Sequence, residues 1–395
     1  MLDVILKPGR DRSVKRRHPW VLSGSVGELR GRLAAPGALA RVMSVDREVL
    51  GYGDFSPASN IRVRILSFGP DEPGKEFVAE RVAQAVARRE RDPLIGETDA
   101  VRLVNAEGDG LPGLVVDRYA DVVVVKLSSA GMASRRDELV SALRQETGAA
   151  AGYERADVTA TRREGLSVVK GALWGEAPPG SVPIAERDRR YAVDVVGGQK
   201  TGFYIDQRDA RDLVTRLAAG GRALDLFGYT GGFAVAAALG GARKVTLVES
   251  SASALERART HLYVNAPSCP VELHSADAFG FLRGSEPAEP YDLLVIDPPP
   301  LARRRGDVTR ATRAYKDLLL HALRRAAPGA HILAFACSHH VGPDLFRKVV
   351  FGAALDAGRS PRVLRELGAP SDHPVSIDHP EGRYLTGLLL GVDRD

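Results

Sequence analysis

From about Gly197 to the end of the chain, short apolar runs alternate with stretches of helical periodicity, and this alternation restricts the possible folds more than any other feature. The spacing predicts strands at Ala223–Phe227, Lys244–Glu249, Val271–His274, Tyr291–Asp297 and His331–Cys337, with helices at Gly232–Leu239, Ala252–Val264 and Tyr315–Ala326. Apolar strands that alternate with helices belong in a parallel sheet covered on both faces. Ligands of such sheets bind beyond the carboxyl ends of the strands. The residues that close each apolar run are therefore the first candidates for a functional site.

The first 75 residues read differently. Ala38–Val45, Arg47–Asp54 and Asn60–Ser67 are predicted strands of a small barrel, and Ile61-Arg62-Val63-Arg64-Ile65 alternates with one apolar face and one face carrying two arginines. A breaker-rich linker, Phe68–Gly74, leads into an arginine-rich helix over Glu76–Arg91 with apolar residues at Phe77, Val78, Val82 and Val86. A small α+β module follows. Its predicted strands include Leu114–Asp117, Val122–Leu127, Gly152–Asp157 and Tyr191–Val196, with a helix over Ser134–Thr147. The expected domains are 1–75, 76–196 and 197–395, in keeping with roughly 100–200 residues per domain.

Composition narrows the class. Apolar residues make up 44% and charged residues 27%, as in soluble globular chains. No apolar run approaches the ~20 residues that span a bilayer. The opening MLDVILKPGRDR carries an acid in its apolar stretch and does not read as a signal peptide. Cys269 and Cys337 are too few and too far apart for a disulfide framework or a zinc site, so no metal is expected and a reducing cytoplasm fits. Residues 1–75 hold 13 Lys/Arg against 8 Asp/Glu, an excess equal to the net charge of +5 of the whole chain. A basic module on a neutral body suggests a polyanionic partner, with RNA the obvious one.

Three features in order point to a nucleoside cofactor. Asp225-Leu226-Phe227-Gly228-Tyr229-Thr230-Gly231-Gly232 forms a strand-to-helix turn whose glycines admit a ligand close to the backbone. It lacks the G-x-G-x-x-G spacing that receives a pyrophosphate, which argues against a dehydrogenase. Glu249 closes the second strand, where an acid can accept both hydroxyls of a ribose. Asp277-Ala278 follows the third, placed for an adenine edge. The fourth strand ends in Asp297-Pro298-Pro299-Pro300, a stiff loop suited to a planar base. Upstream, Gly198–Arg208 concentrates polar and aromatic groups.

These motifs resemble, nearly end to end, the bacterial 23S ribosomal RNA 5-methylcytosine methyltransferases of the large-subunit methyltransferase I type. The resemblance rests on His18-Pro19-Trp20-Val21, Gly51–Ser56, Asn105–Leu114, Gly198–Arg208, Phe227–Phe233, Asp297-Pro298-Pro299, Asp372-His373-Pro374 and Pro380-Glu381-Gly382. It implies an α/β chain with an N-terminal PUA-like RNA-binding β-barrel, a central small α+β domain and a C-terminal Rossmann-like class I methyltransferase with a mainly parallel sheet. It implies S-adenosylmethionine as cofactor, bordered by Phe203, Asp206 and Arg208. Asp225, Phe227, Thr230 and Gly231 would hold the methionine part, Glu249 the ribose, and Asp277 with Ala278 the adenine; Asp297 would border the site. RNA would meet Pro298, Pro299, Arg303, Arg304, Arg305 and Lys316. Proline fills position 300, where the family commonly has lysine, and the loop beyond is unusually basic, with Arg310 and Arg313 also present.

Carbon 5 of cytosine is a weak nucleophile until a thiolate adds at carbon 6. Cys337 closes the strand His331–Ala336 at the ligand-binding edge and is the expected nucleophile, with Asp297 its catalytic companion. Cys269, in the loop Ala266–Pro270, reads as incidental, and the pair His339 and His340 as ordinary loop residues, with lowering the thiol pKa or orienting the base as their alternative role. Two rival readings stand beside this one. A guanine-nitrogen methyltransferase would need no thiol, and a catalytically silent ribosome-associated RNA-binding protein would bind no cofactor. Oligomeric state, a homodimer included, is left open.

Overall fold

The computed structural model describes the chain apart from residues 33–34, 157, 179, 267, 285–288 and 394–395. It divides into two compact units. One comprises Met1–Ile184, Val193–Ile205 and Ser371–Gly382, and the other Ala185–Ala192, Asp206–Pro370 and Arg383–Asp395.

The second unit is built on a seven-stranded sheet. Its strands are β1 (Arg222–Leu226), β2 (Lys244–Glu249), β3 (Val271–Ser275), β4 (Tyr291–Ile296), β5 (Ala326–Cys337), β6 (Pro361–Leu367) and β7 (Leu385–Val392), side by side in the order β3-β2-β1-β4-β5-β7-β6. The first five run parallel, and β7 is antiparallel to both β5 and β6. Strand order reverses between β1 and β4, the kind of switch point at whose carboxyl ends such sheets bind ligands. All five residues of β1 are buried, as a central strand covered on both faces requires. Leu224, Leu226, Leu294, Ile296 and Ile332 share a core with Tyr315, Leu318, Leu319 and Phe346.

The helix expected at Tyr315 already begins at Val308, because buried Ala311 extends its apolar stripe by a turn. The helix Pro343–Ala357 and strands β6 and β7 were not anticipated. Strand β6 is exposed along most of its length and carries Arg362, Arg365 and Glu366, the charged edge that discourages further pairing. Such a strand shows no apolar alternation to read.

In the first unit, a six-stranded sheet has the spatial order Trp20–Leu22, Ile61–Phe68, Val49–Phe55, Leu39–Met43, Leu2–Leu6, Val26–Arg30. Val63 and Ile65 enter its core as expected. Arg64 does not face solvent: it is buried and pairs with Glu164 at 3.0 Å. A five-stranded sheet follows, in the order Lys170–Trp174, Ala151–Arg155, Val122–Leu127, Leu114–Tyr119, Ala100–Asn105. Helix Phe77–Glu90 shares its core through Val78, Val82, Ala85 and Val86. The helix foreseen over Ser134–Thr147 is two, Ala130–Ser134 and Arg136–Thr147, broken at Arg135, whose guanidinium reaches buried Asp54 at 2.7 Å. The strand foreseen over Gly152–Asp157 runs Ala151–Arg155, with residue 157 outside the described residues. The strand foreseen at Tyr191–Val196 is Arg189–Val193, which belongs to the second unit up to Ala192. Among the described residues no helix is long and apolar enough to cross a membrane.

Candidate active site

The turn after β1 adopts a conformation that most sequences avoid. Phe227 and Tyr229 have φ of 61° and 48°, and Gly231 has φ of 82°. Left-handed non-glycine residues are uncommon, and they persist where surroundings over-determine them. The surroundings here are identifiable. The Tyr229 amide donates to Glu249 Oε2 at 2.9 Å. The Thr230 carbonyl accepts from His261 Nδ1 at 2.8 Å, while His261 Nε2 accepts from the Ala192 amide at 3.0 Å. An amide can only donate, so Nε2 must be the acceptor and Nδ1 carries the proton. Burial holds the pKa of His261 below its ordinary value, which keeps this neutral form. A Cβ on Gly228 would meet Leu247 Cγ at 2.7 Å, so the turn lies flat on β2.

Asp225, on β1, is 3% exposed. Its Oδ2 accepts from the Ala234 amide at 2.9 Å, and its Oδ1 has no hydrogen-bond partner among the described residues. Burial pushes its carboxyl up to about 8, and the charges of Asp297 and Glu249 push in the same direction. An unsatisfied buried acceptor costs about 1–3 kcal/mol. A cationic donor would relieve that cost and the charge crowding together. S-adenosylmethionine carries such a donor in its ammonium group, so this carboxylate and the flattened turn fit the cofactor.

The other expected cofactor residues are placed as follows. Glu249 closes β2, and its Oε1 accepts from the Ser251 amide at 2.8 Å, so both oxygens already hold backbone. Asp277 is exposed and caps helix Ala278–Arg283 through Gly280 N at 2.8 Å, with Ala278 buried behind it. Asp206 is buried and accepts from Tyr384 Oη at 2.7 Å. Arg208 is fully buried in a charge cluster. Burial there would raise the pKa of Glu186, but Arg211, Arg189 and Arg208 hold it below its ordinary value. Phe203 belongs to the first compact unit, where it is buried.

Asp297 and Cys337 meet at the carboxyl edge of neighbouring strands β4 and β5. Cys337 Sγ lies 3.3 Å from Asp297 Oδ1, within reach of a thiol donating to a carboxylate. The other oxygen, Oδ2, accepts from Gln207 Nε2 at 2.9 Å. Gln207 carried no expectation from the sequence although it sits inside the polar block before β1. Tyr384 and His261 were missed as well, because nothing in their local sequence marks them. Pro298 is buried, and Pro299 and Arg303–Arg305 are exposed. Lys316 turns to the neighbouring helix, where its Nζ pairs with Asp356 at 2.7 Å. Cys269 lies half-buried and donates to the Ala242 carbonyl. His339 and His340 are exposed. Among the described residues no group of three or more His, Cys, Asp or Glu could hold a metal ion.

Comparison with known proteins identifies the family. Residues 106–378 match the S-adenosylmethionine-dependent methyltransferase family, and residues 4–68 match the PUA-like domain. The chain is 42% identical over 392 residues to ribosomal RNA large subunit methyltransferase I of Shewanella denitrificans, covering 98% of each chain. It is 40% identical over 397 residues to the protein of that name from Alteromonas mediterranea, covering 99% of each. In fold it is similar to a SAM-dependent methyltransferase of Streptococcus mutans (TM-score 0.83, 23% identity, 99% and 100% coverage). It is also similar to a methyltransferase solved in complex with SAH (TM-score 0.84, 24% identity, with the same coverage). With both domains matched and full-length relatives near this identity, the chain belongs to the S-adenosylmethionine-dependent methyltransferases, in the ribosomal RNA large subunit methyltransferase I family.

Proposed function

We propose that this enzyme methylates carbon 5 of a cytosine in large-subunit ribosomal RNA, with Cys337 as nucleophile. The contact between Cys337 Sγ and Asp297 Oδ1 carries the reading. Bound S-adenosylmethionine, held by Asp225 with the Phe227–Gly231 turn, Glu249, and Asp277 with Ala278, supplies the methyl electrophile. The chain's own residues prepare the base. As Cys337 sulfur bonds to carbon 6, its proton passes to Asp297 Oδ1, and the π pair of the 5,6 double bond becomes available at carbon 5. Asp297 then gives that proton to ring nitrogen N3, which neutralises the ring and restores the carboxylate. After methylation, water takes the proton from carbon 5, the carbon–sulfur bond breaks with its electron pair returning to sulfur, and the N3 proton passes back through Asp297 to the Cys337 thiolate. Arg303, Arg304 and Arg305 would meet RNA phosphates beside the proline loop, and the PUA-like domain would add a second RNA contact. The two thiols and the ribosomal substrate suit a cytoplasmic setting.

Cys337→Ala should abolish turnover, at least ~10³-fold, while calorimetry finds cofactor affinity nearly unchanged, because the thiol acts only in the chemical step. Large-subunit RNA containing 5-fluorocytosine should trap a covalent adduct, since fluorine cannot leave as a proton. An alanine variant that still methylates would overturn the reading and favour a nitrogen target.

A further inference from the structure

We propose that Gln207 is the residue that selects cytosine over uracil, an inference that rests on the cytosine reading above. Gln207 is 2% exposed and donates through Nε2 to Asp297 Oδ2 at 2.9 Å. A carboxylate only accepts, so this contact fixes the amide with nitrogen toward Asp297. The amide oxygen is then turned away from Asp297. It is buried and has no hydrogen-bond partner among the described residues.

The placement is held by a closed circuit of contacts. Gln207 holds Asp297, and Asp297 accepts from Cys337. Cys337 pairs with Leu385 across β5 and β7. Tyr384, next in the chain, donates to Asp206 at 2.7 Å, and Asp206 adjoins Gln207. Rotation of the amide would therefore break a circuit that also positions the nucleophile.

When Asp297 has received the thiol proton, the pair offers a hydroxyl donor at Oδ1 and, at the far end of their shared hydrogen bond, an amide acceptor. The corresponding edge of cytosine offers an acceptor, N3, beside a donor, the exocyclic amine. The donor and acceptor types are complementary. Uracil presents N3–H and a carbonyl in the same places, so both contacts reverse into repulsions. Buried polar groups left mispaired are what makes such rejection strong.

The test uses full-length enzyme, S-adenosylmethionine, and large-subunit ribosomal RNA transcribed with either 5-fluorocytidine or 5-fluorouridine. Rates of covalent adduct formation are compared. Wild type should favour the fluorocytidine RNA on the order of a hundredfold, roughly tenfold for each reversed hydrogen bond. Gln207→Leu should lower that ratio roughly tenfold while calorimetry shows cofactor affinity retained. A purely structural role would slow both adducts equally and leave the ratio unmoved, and that result overturns the inference. Gln207→Glu supplies an independent check. Protonated, its carboxyl can donate to Asp297 and keep an acceptor for the amine. Ionised, it faces Asp297 as a like charge. Its selectivity should be retained at low pH and lost as pH rises, and a pH-independent ratio equal to wild type counts against the proposal. If wild type forms no adduct with either RNA, the cytosine reading itself falls, a result distinct from an unchanged ratio.

Discussion

Asp225 shows how far one residue departs from what folding alone would choose. Its carboxyl is buried, half-satisfied and pushed up to about 8 from an ordinary 3.8. Between those two values the folded chain holds a proton that the unfolded chain has lost. Its contribution to stability therefore falls as pH rises through that window and levels off above about 8. Asp225→Asn keeps an acceptor for the Ala234 amide and cannot ionise. Without cofactor, the variant's Tm relative to wild type should climb from about pH 4 to about pH 8, by roughly 2–4 °C for each kcal/mol. The same variant should bind S-adenosylmethionine more weakly, because the ammonium loses its anionic partner. Binding to wild type should release a proton, read by calorimetry in buffers of different ionisation heat. A Tm difference that ignores pH would show that Asp225 does not carry this burden. The aspartate was legible from its place at a strand end. Its unsatisfied oxygen was not, because burial on both faces of β1 is a property of the assembled sheet.

At the scale of elements, the strand ends were the readable part. Glu249 closes β2 and Asp297 follows β4 directly, as expected, because parallel strands end on one edge, and a one-residue error in a strand boundary does not change that. The arginine run after β4 shows the limit of such reading. Arg303, Arg304 and Arg305 form one exposed turn, whereas Lys316, grouped with them by proximity in sequence, lies two turns into helix Val308–Arg325 and pairs with Asp356. This separates their expected effects. Replacing Arg303, Arg304 and Arg305 with alanine should lower the log–log salt slope of RNA binding by roughly 0.7–0.9 for each phosphate no longer neutralised. Lys316→Ala should leave the slope unchanged. Equal decreases from the loop and from Lys316 would mean that the Lys316–Asp356 pair opens on RNA.

At the scale of the whole molecule, the sequence order of the motifs conceals where they act. Asp372-His373-Pro374 is conspicuous in the sequence but belongs to the first compact unit. There Asp372 accepts from the Arg102 amide at 3.1 Å, and its carbonyl from Arg89 at 2.8 Å. No periodicity announces such a return, because it is fixed by single hydrogen bonds between residues far apart in the chain. Charges are likewise paired across distant parts of the chain. Within residues 1–75 Arg41 pairs with Asp3, while Arg64 and Asp54 pair with Glu164 and Arg135 beyond the segment, so its basic excess survives folding. Arg10, Arg12 and Arg16 remain exposed, with no ion pair to them among the described residues. Each compact unit thus carries its own short basic segment, and the two segments share no partner. Substitutions that share no partner add. Alanine at Arg10, Arg12 and Arg16 should lower the salt slope by as much as alanine at Arg303, Arg304 and Arg305, and the six together by the sum, roughly 4–5. Methylation at saturating RNA should be unaffected by the first set, which lies outside the unit that carries Cys337. A slope that responds to the loop set alone would restrict RNA binding to the second unit and leave the PUA-like domain another role.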